Sequence, residues 1–238
     1  MAPERSKTKG TPRTRTEKVH HALRSAIIEQ RLAPGVRLPE DTIGESFGTS
    51  RTIAREALGR LAVEGLVELI PNRGAFVANP SLEEGRGIFV VRRALERAMV
   101  LELAGRIESD IAARLHEMVA REAALASHNE AEAIRLAGEF HLTLAQLTGN
   151  PLLIRYVTET VSRCSLVLAM YGRPHSADCG AREHAAVVEA LIAGNAEEAA
   201  ELMDRHLADV ASRALLPARA QKDIREVLSA YAKDIDLD

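Results

Sequence analysis

The chain of 238 residues contains no tryptophan, and its three tyrosines and four phenylalanines make only 3% of it aromatic. That scarcity, beside an abundance of Ala, Leu, Arg and Glu, excludes a sheet sandwich or barrel and favours helices. Long apolar runs are missing as well. No stretch approaches the roughly 18 uninterrupted apolar residues of a membrane span, and Met1 to Lys18 is polar and basic, without the apolar centre of a secretory signal. The expectation is a soluble, cytoplasmic protein with no membrane partner. The two cysteines, Cys164 and Cys179, stand in no CxxC or His-rich spacing, so they read as reduced thiols without an assigned role. What is present, 46% hydrophobic and 27% charged residues, suffices for one large or two modest cores and excludes disorder as the main state.

The net charge of −3 is unevenly spread. Residues 1–80 hold 13 Lys/Arg against 9 Asp/Glu, a balance of +4, whereas the remainder carries −7. A basic N-terminal third points to a polyanionic partner, and the acidic remainder to a different task. Residues 1–16 have almost no large apolar side chain and read as a flexible basic arm. Val19, Leu23, Ala26 and Ile27 then recur at helical spacing and predict a helix over 17–31, stopped before Pro34-Gly35. A short helix fits 40–47. Ser50 stands at an N-cap position ahead of Ile53, Ala54, Ala57, Leu58 and Leu61, which predicts an amphipathic helix over 51–64 that ends at Gly65. Two β-prone runs, 67–70 and 75–77, flank Pro71-Asn72-Arg73-Gly74 and read as a hairpin.

Helix, helix, tight turn, helix, hairpin is the order of a winged helix-turn-helix, whose third helix enters the major groove of double-stranded DNA. Arg51 and Arg55 lie one turn apart on that helix, so both reach base edges or phosphates together, and Thr49, Ser50 and Thr52 add short donors for phosphate. The segment from Ala22 to Val77 resembles the winged-helix domain of the GntR family of bacterial transcription regulators. The resemblance is carried by PG-x-R-L at Pro34 to Leu38, S-R-T-x-x-R-E-A-L at Ser50 to Leu58, EGLV at Glu64 to Val67 and G-x-F-V at Gly74 to Val77. It implies operator contacts from Arg51 and Arg55, with help from Arg60 and from the wing around Arg73 and Gly74. Arg37, in the turn, is placed as a phosphate contact. Asp41 stands where some relatives carry a DNA-contacting arginine, so no contact is assigned there.

Beyond Asn79-Pro80, Ser81 caps a long helix predicted to run to about 107, with Ile88, Val91, Leu95, Met99 and Leu103 as one buried stripe. Further helices are predicted at 109–126, 130–148, 151–171, 179–193 and 196–215, making a bundle of six, followed by a tail. The fold expected is mainly α. A winged helix-turn-helix spans 17–79, an all-α bundle for effector binding and dimerisation 80–216, and a C-terminal tail 217–238. His141, His184 and His206 fall on different helices of the bundle. Each alone is also readable as an ordinary core or surface histidine, whereas three converging imidazoles make a metal site with open positions.

The pattern F-H-x-x-L-x-x-x-x-G-N from Phe140 to Asn150, with the two later histidines, is similar to the FCD effector domain of the FadR subfamily, in its VanR-like form. That resemblance implies a divalent transition metal such as zinc or nickel held by His141, His184 and His206 beside a small organic-acid effector, in a homodimeric regulator, usually a repressor. The family's aspartate, one turn before the first histidine, is replaced by Ala137, and Glu139 points about 200° away from it around the helix. The site therefore has three protein ligands, which an effector would complete. Arg92 matches a cavity arginine that grips a carboxylate, and it is equally placed to pair with Glu96 one turn on. Arg93 is expected to face solvent. Two alternatives use the same histidines: a metal-dependent enzyme that activates water, and a pure metal sensor.

Overall fold

The computed structural model describes residues 14–125, 129–171 and 177–212. The basic arm up to residue 13, the Gly172-Arg173-Pro174 break and the tail from 217 lie outside them. The first core is built by α1 (Arg15–Ile28), α2 (Glu40–Ser46), α3 (Arg51–Val63) and an antiparallel pair, β1 (Val67–Ile70) and β2 (Gly74–Val77), in the register Val67↔Val77. Helix α1 starts two residues earlier than expected because Thr14 and Glu17 form a reciprocal capping box. It ends at Ile28 because Gln30 takes a left-handed φ of 59°, which turns the N–H groups of Arg31 and Leu32 back onto the Ala26 carbonyl. Ser50 caps α3 as its position required, accepting from the Ile53 N–H. Backbone from Val36 to Leu38 bonds to β2, so the turn with Arg37 forms a third edge of the wing.

Six helices follow: α4 (Leu82–Leu103), α5 (Ser109–Leu125), α6 (Glu130–Leu147), α7 (Pro151–Tyr171), α8 (Ala177–Ala193) and α9 (Ala196–Ser212). A Ser81–Glu84 capping box begins α4, whose buried face runs through Ile88, Phe89, Arg92, Glu96, Met99 and Leu103; Val91, expected on that face, is instead exposed, because the buried position beside it is taken by Arg92. This helix stops at Leu103, not near 107, for a tertiary reason. Gly105, with φ of +72°, donates its N–H to the Leu191 carbonyl, and a Cβ there would stand 3.5 Å from Gly194, so the chain must turn where α4 meets the end of α8. The bundle core gathers Met99, Leu115, Phe140, Leu144, Val187, Leu191 and Met203, all fully or nearly fully buried. The two cores touch through one side chain in particular: Leu166 of α7 is fully buried inside the N-terminal core. Arg163, one residue beyond the preceding turn, lies over Gly65 at the end of α3, and Arg135 of α6 reaches Glu29 beyond α1 at 3.6 Å. No helix among the described residues is long and apolar enough to cross a membrane.

Candidate functional site

Two surfaces carry chemistry. On the first, α3 buries Ala54, Ala57, Leu58 and Leu61 and turns Arg51, Thr52, Arg55 and Arg60 outward, all exposed. Arg51 and Arg55 converge on a carboxylate that sequence reasoning did not single out, that of Glu40 at the start of α2. The Nε of Arg51 donates to it at 2.7 Å, and Arg55 donates from Nε at 2.9 Å and from Nη2 at 2.8 Å. These hydrogen bonds, that of Arg55 first, hold the Glu40 carboxyl down to about 2. Asp41 lies 3.6 Å from Arg51. Arg60 is tied to Glu56 at 3.0 Å. On the wing, Arg73 and Gly74 are exposed, Arg37 is exposed beside Phe76, and the Arg73 guanidinium stands 5.5 Å from the Phe76 ring centre. Ser50 is exposed but spends its hydroxyl on the cap. Thr49 differs: its hydroxyl oxygen is buried and has no hydrogen-bond partner, so in this state it faces the protein, away from any phosphate.

The second surface is internal. His141 on α6, His184 on α8 and His206 on α9 are buried, with one ring nitrogen of each within 4.8 Å of the others. The Nε2 atoms of His184 and His206 stand 3.2 Å apart. Phe140 stacks on His184 at 4.2 Å between ring centres and closes one side of the cluster. Each imidazole is held through Nδ1 by its own carboxylate: His141 by Glu96 of α4 at 2.5 Å, His184 by Glu122 of α5 at 2.8 Å, and His206 by Glu183 of α8 at 2.6 Å. A carboxylate only accepts, so each Nδ1 carries a proton, and the Nε2 of a ring that is neutral then offers a lone pair. Burial pushes His141 well below the ordinary histidine range and His206 down to about 4, so both are neutral near pH 7.

The Nε2 atoms of His184 and His206 face each other at 3.2 Å, a distance that either a shared proton or a cation between them accounts for. The spacing is that of neighbouring ligands around an ion with bonds of about 2.1 Å. The carboxylates also fit the outer partners of metal-bound histidines, which orient the ring and raise its basicity. Glu122 is 3% exposed, and its partner among the described residues is His184 alone. A buried carboxylate is costly unless positive charge lies close by, and a cation on the far side of the His184 ring would supply it. The donor set therefore fits a divalent transition metal despite Ala137.

Arg92 makes the ion pair anticipated as one of its two readings, its Nε donating to Glu96 at 2.6 Å, with the Cys164 thiol as a further neighbour. Burial opposes ionisation of Glu96, but Arg92 and then His141 outweigh it and hold the carboxyl well below the usual carboxylate range. Arg93 is partly exposed, as expected, and clamps Asp204 of α9 through two hydrogen bonds. Between α8 and α9 a cleft of about 270 Å³, lined by Arg182, Glu183, Leu202 and Arg205, reaches His206. The three outer carboxylates were missed by sequence reasoning. Glu183 had a signal in its adjacency to His184, and Glu96 in its spacing from Arg92, but Glu122 had none.

Comparison with known proteins finds a family domain over each of the two regions that carry these surfaces. Residues 15–77 match the description of bacterial regulatory proteins of the gntR family, and residues 87–209 that of the FCD domain. The chain is 25% identical over 198 residues to the HTH-type transcriptional repressor RspR of Escherichia coli, spanning 82% of this chain and 86% of that one. It is 29% identical over 209 residues to the Uxu operon regulator of Haemophilus influenzae, spanning 77% of each. A regulator from an unstable DNA locus of Streptomyces ambofaciens shares 30% identity over 138 residues, 58% of the length of either chain. Among solved structures, a GntR transcriptional regulator from Rhodococcus superposes with a TM-score of 0.67 at 27% identity over 83% of this chain and 96% of that one. McbR/YncC of Escherichia coli superposes with a TM-score of 0.72 at 21% identity over 84% and 98%, a likeness of fold.

Proposed function

The chain belongs to the GntR family of bacterial regulatory proteins, a DNA-binding transcriptional regulator with an FCD domain behind its winged helix, and from that premise we propose that it is a homodimeric repressor released from its operator by a small carboxylate. The reading is carried by the three converging buried imidazoles, each oriented by a carboxylate on its Nδ1. His141, His184 and His206 would hold a divalent transition metal, which when bound supplies a Lewis-acidic position for an effector oxygen. The missing aspartate leaves that position to an anionic ligand, and the cleft beside His206 offers an approach flanked by Arg182 and Arg205. Arg37, Ser50, Arg51, Thr52, Arg55, Arg60, Arg73 and Gly74 form the DNA face. The domain limits taken for this reading are 17–79 and 80–216. Val90, Val91 and Leu101, exposed along the outer side of α4, supply an apolar stripe for a second copy.

Coupling has a material route. Helix α6 carries both His141 and the Arg135 that pairs with Glu29, and α7 carries both Cys164, beside Arg92, and Leu166, inside the winged-helix core. An effector alters operator affinity only by the difference in its affinity for two arrangements of these contacts. The test uses purified chain, either stripped by chelator or loaded with zinc, on a duplex from its own promoter, with small mono- and dicarboxylates added. Release that requires both zinc and an acid is expected. Equal release from stripped protein would remove the metal from the reading, and no release by any acid would remove the effector class.

A further inference from the structure

Glu40 occupies the first turn of α2, yet its carboxylate serves α3. Both exposed reading arginines reach back to it, and both use the inner edge of the guanidinium: Nε of Arg51, and Nε with Nη2 of Arg55. The Nη atoms of Arg51, of which Nη1 lies 3.6 Å from the Asp41 carboxylate, and the Nη1 of Arg55 make no hydrogen bond among the described residues. An arginine discriminates guanine by a planar, two-point approach to O6 and N7, which requires the fork to arrive already aimed. An arginine free on its stem serves any phosphate instead. Glu40 is only 23% exposed, against 60% for Arg51 and 64% for Arg55, so the anchor is the least mobile of the three. Its charge also acts in the opposite sense: one negative charge set between two cations weakens attraction to every duplex alike.

We propose that Glu40 is a positioning residue for base recognition, one that lowers affinity for DNA in general and raises discrimination between sequences. The inference rests on the reading of α3 as the recognition helix. Two substitutions separate charge from reach. Glu40→Gln removes the charge and one strong acceptor. Glu40→Asp keeps the charge but is one methylene short of holding both arginines.

The experiment compares a duplex selected by the wild-type chain from a randomised pool with a duplex of scrambled sequence, across a salt series. For Glu40→Gln, binding to the scrambled duplex should tighten severalfold with a steeper salt slope, by roughly one ion, while the ratio of selected to scrambled affinity falls about tenfold. For Glu40→Asp the ratio should fall similarly with scrambled binding near wild type. A lost fold would lower both affinities together and show in the thermal melt, whereas a gain on scrambled DNA cannot come from unfolding. Arg51→Ala runs alongside. If it loses discrimination while both Glu40 variants keep theirs within twofold, the proposal is overturned. If Arg51→Ala also leaves discrimination intact, the recognition-helix reading fails first and takes the proposal with it.

Discussion

Replacing Glu122 by Gln preserves the shape of the side chain and an acceptor for His184 Nδ1, and deletes only the charge. The carboxylate is 3% exposed and 2.8 Å from the ring, so water cannot replace what is lost. If a metal stands on His184 Nε2, losing such an outer partner weakens its binding by about 10–100-fold. A ligand that binds only the folded state stabilises it in proportion to the logarithm of concentration over Kd, so at saturating metal this costs about 1.4–2.7 kcal/mol. For a chain of this size each kcal/mol moves Tm by about 2–4 °C, which puts the zinc-loaded variant about 3–11 °C below zinc-loaded wild type. With chelator the sign should change. Without a cation, wild type buries a carboxylate with a single imidazole as partner, and the amide relieves that cost, leaving Tm equal or higher. Differential scanning calorimetry with zinc and with chelator reads both arms. An equal drop in both would refute the reasoning, because it would make Glu122 an ordinary structural partner of a protonated His184.

Three further outcomes follow from particular contacts. Leu166→Ala deletes a fully buried side chain that α7 lends to the N-terminal core, at a cost of about 2–5 kcal/mol; operator binding at low temperature should persist while the effector response shrinks, and an unchanged dose response would remove α7 from the coupling route. Thr49→Val replaces a buried hydroxyl without a partner by a methyl group, so stability should rise by about 1 kcal/mol with DNA affinity unaltered; a tenfold loss of affinity in a filter-binding assay would show that the hydroxyl turns out to a phosphate. Asp41→Arg replaces an exposed anion 3.6 Å from Arg51 by a cation, and should tighten binding to any duplex and steepen the salt slope by about one ion; an unchanged slope would place position 41 away from the backbone.

The helices were legible because their signals are local. Ser50 and Ser81 cap the helices they precede, and the apolar stripe of α3 needs only the 3.6-residue period; that of α4 was legible except at Val91, which is exposed where Arg92 and Glu96 take the buried face. The hairpin came from Pro71 to Gly74 in the same way. The limits that shifted depend on contacts remote in sequence: α4 ends where Gly105 meets the end of α8, a meeting that no window around residue 105 encodes.

The amino-acid order by itself determined the winged helix, the six following helices, the outward arginines of α3 and the three candidate histidines, because periodicity, caps and motif spacing are written within single turns of chain. Only the tertiary structure decided that Glu96, Glu122 and Glu183 each take one imidazole, that Glu40 gathers Arg51 and Arg55, and that Leu166 belongs to the core of the other half. A glutamate on a helix surface looks alike whether it meets solvent or a ring across the bundle. Helix packing settles which, and with it where a proton sits and where a lone pair is left to bind.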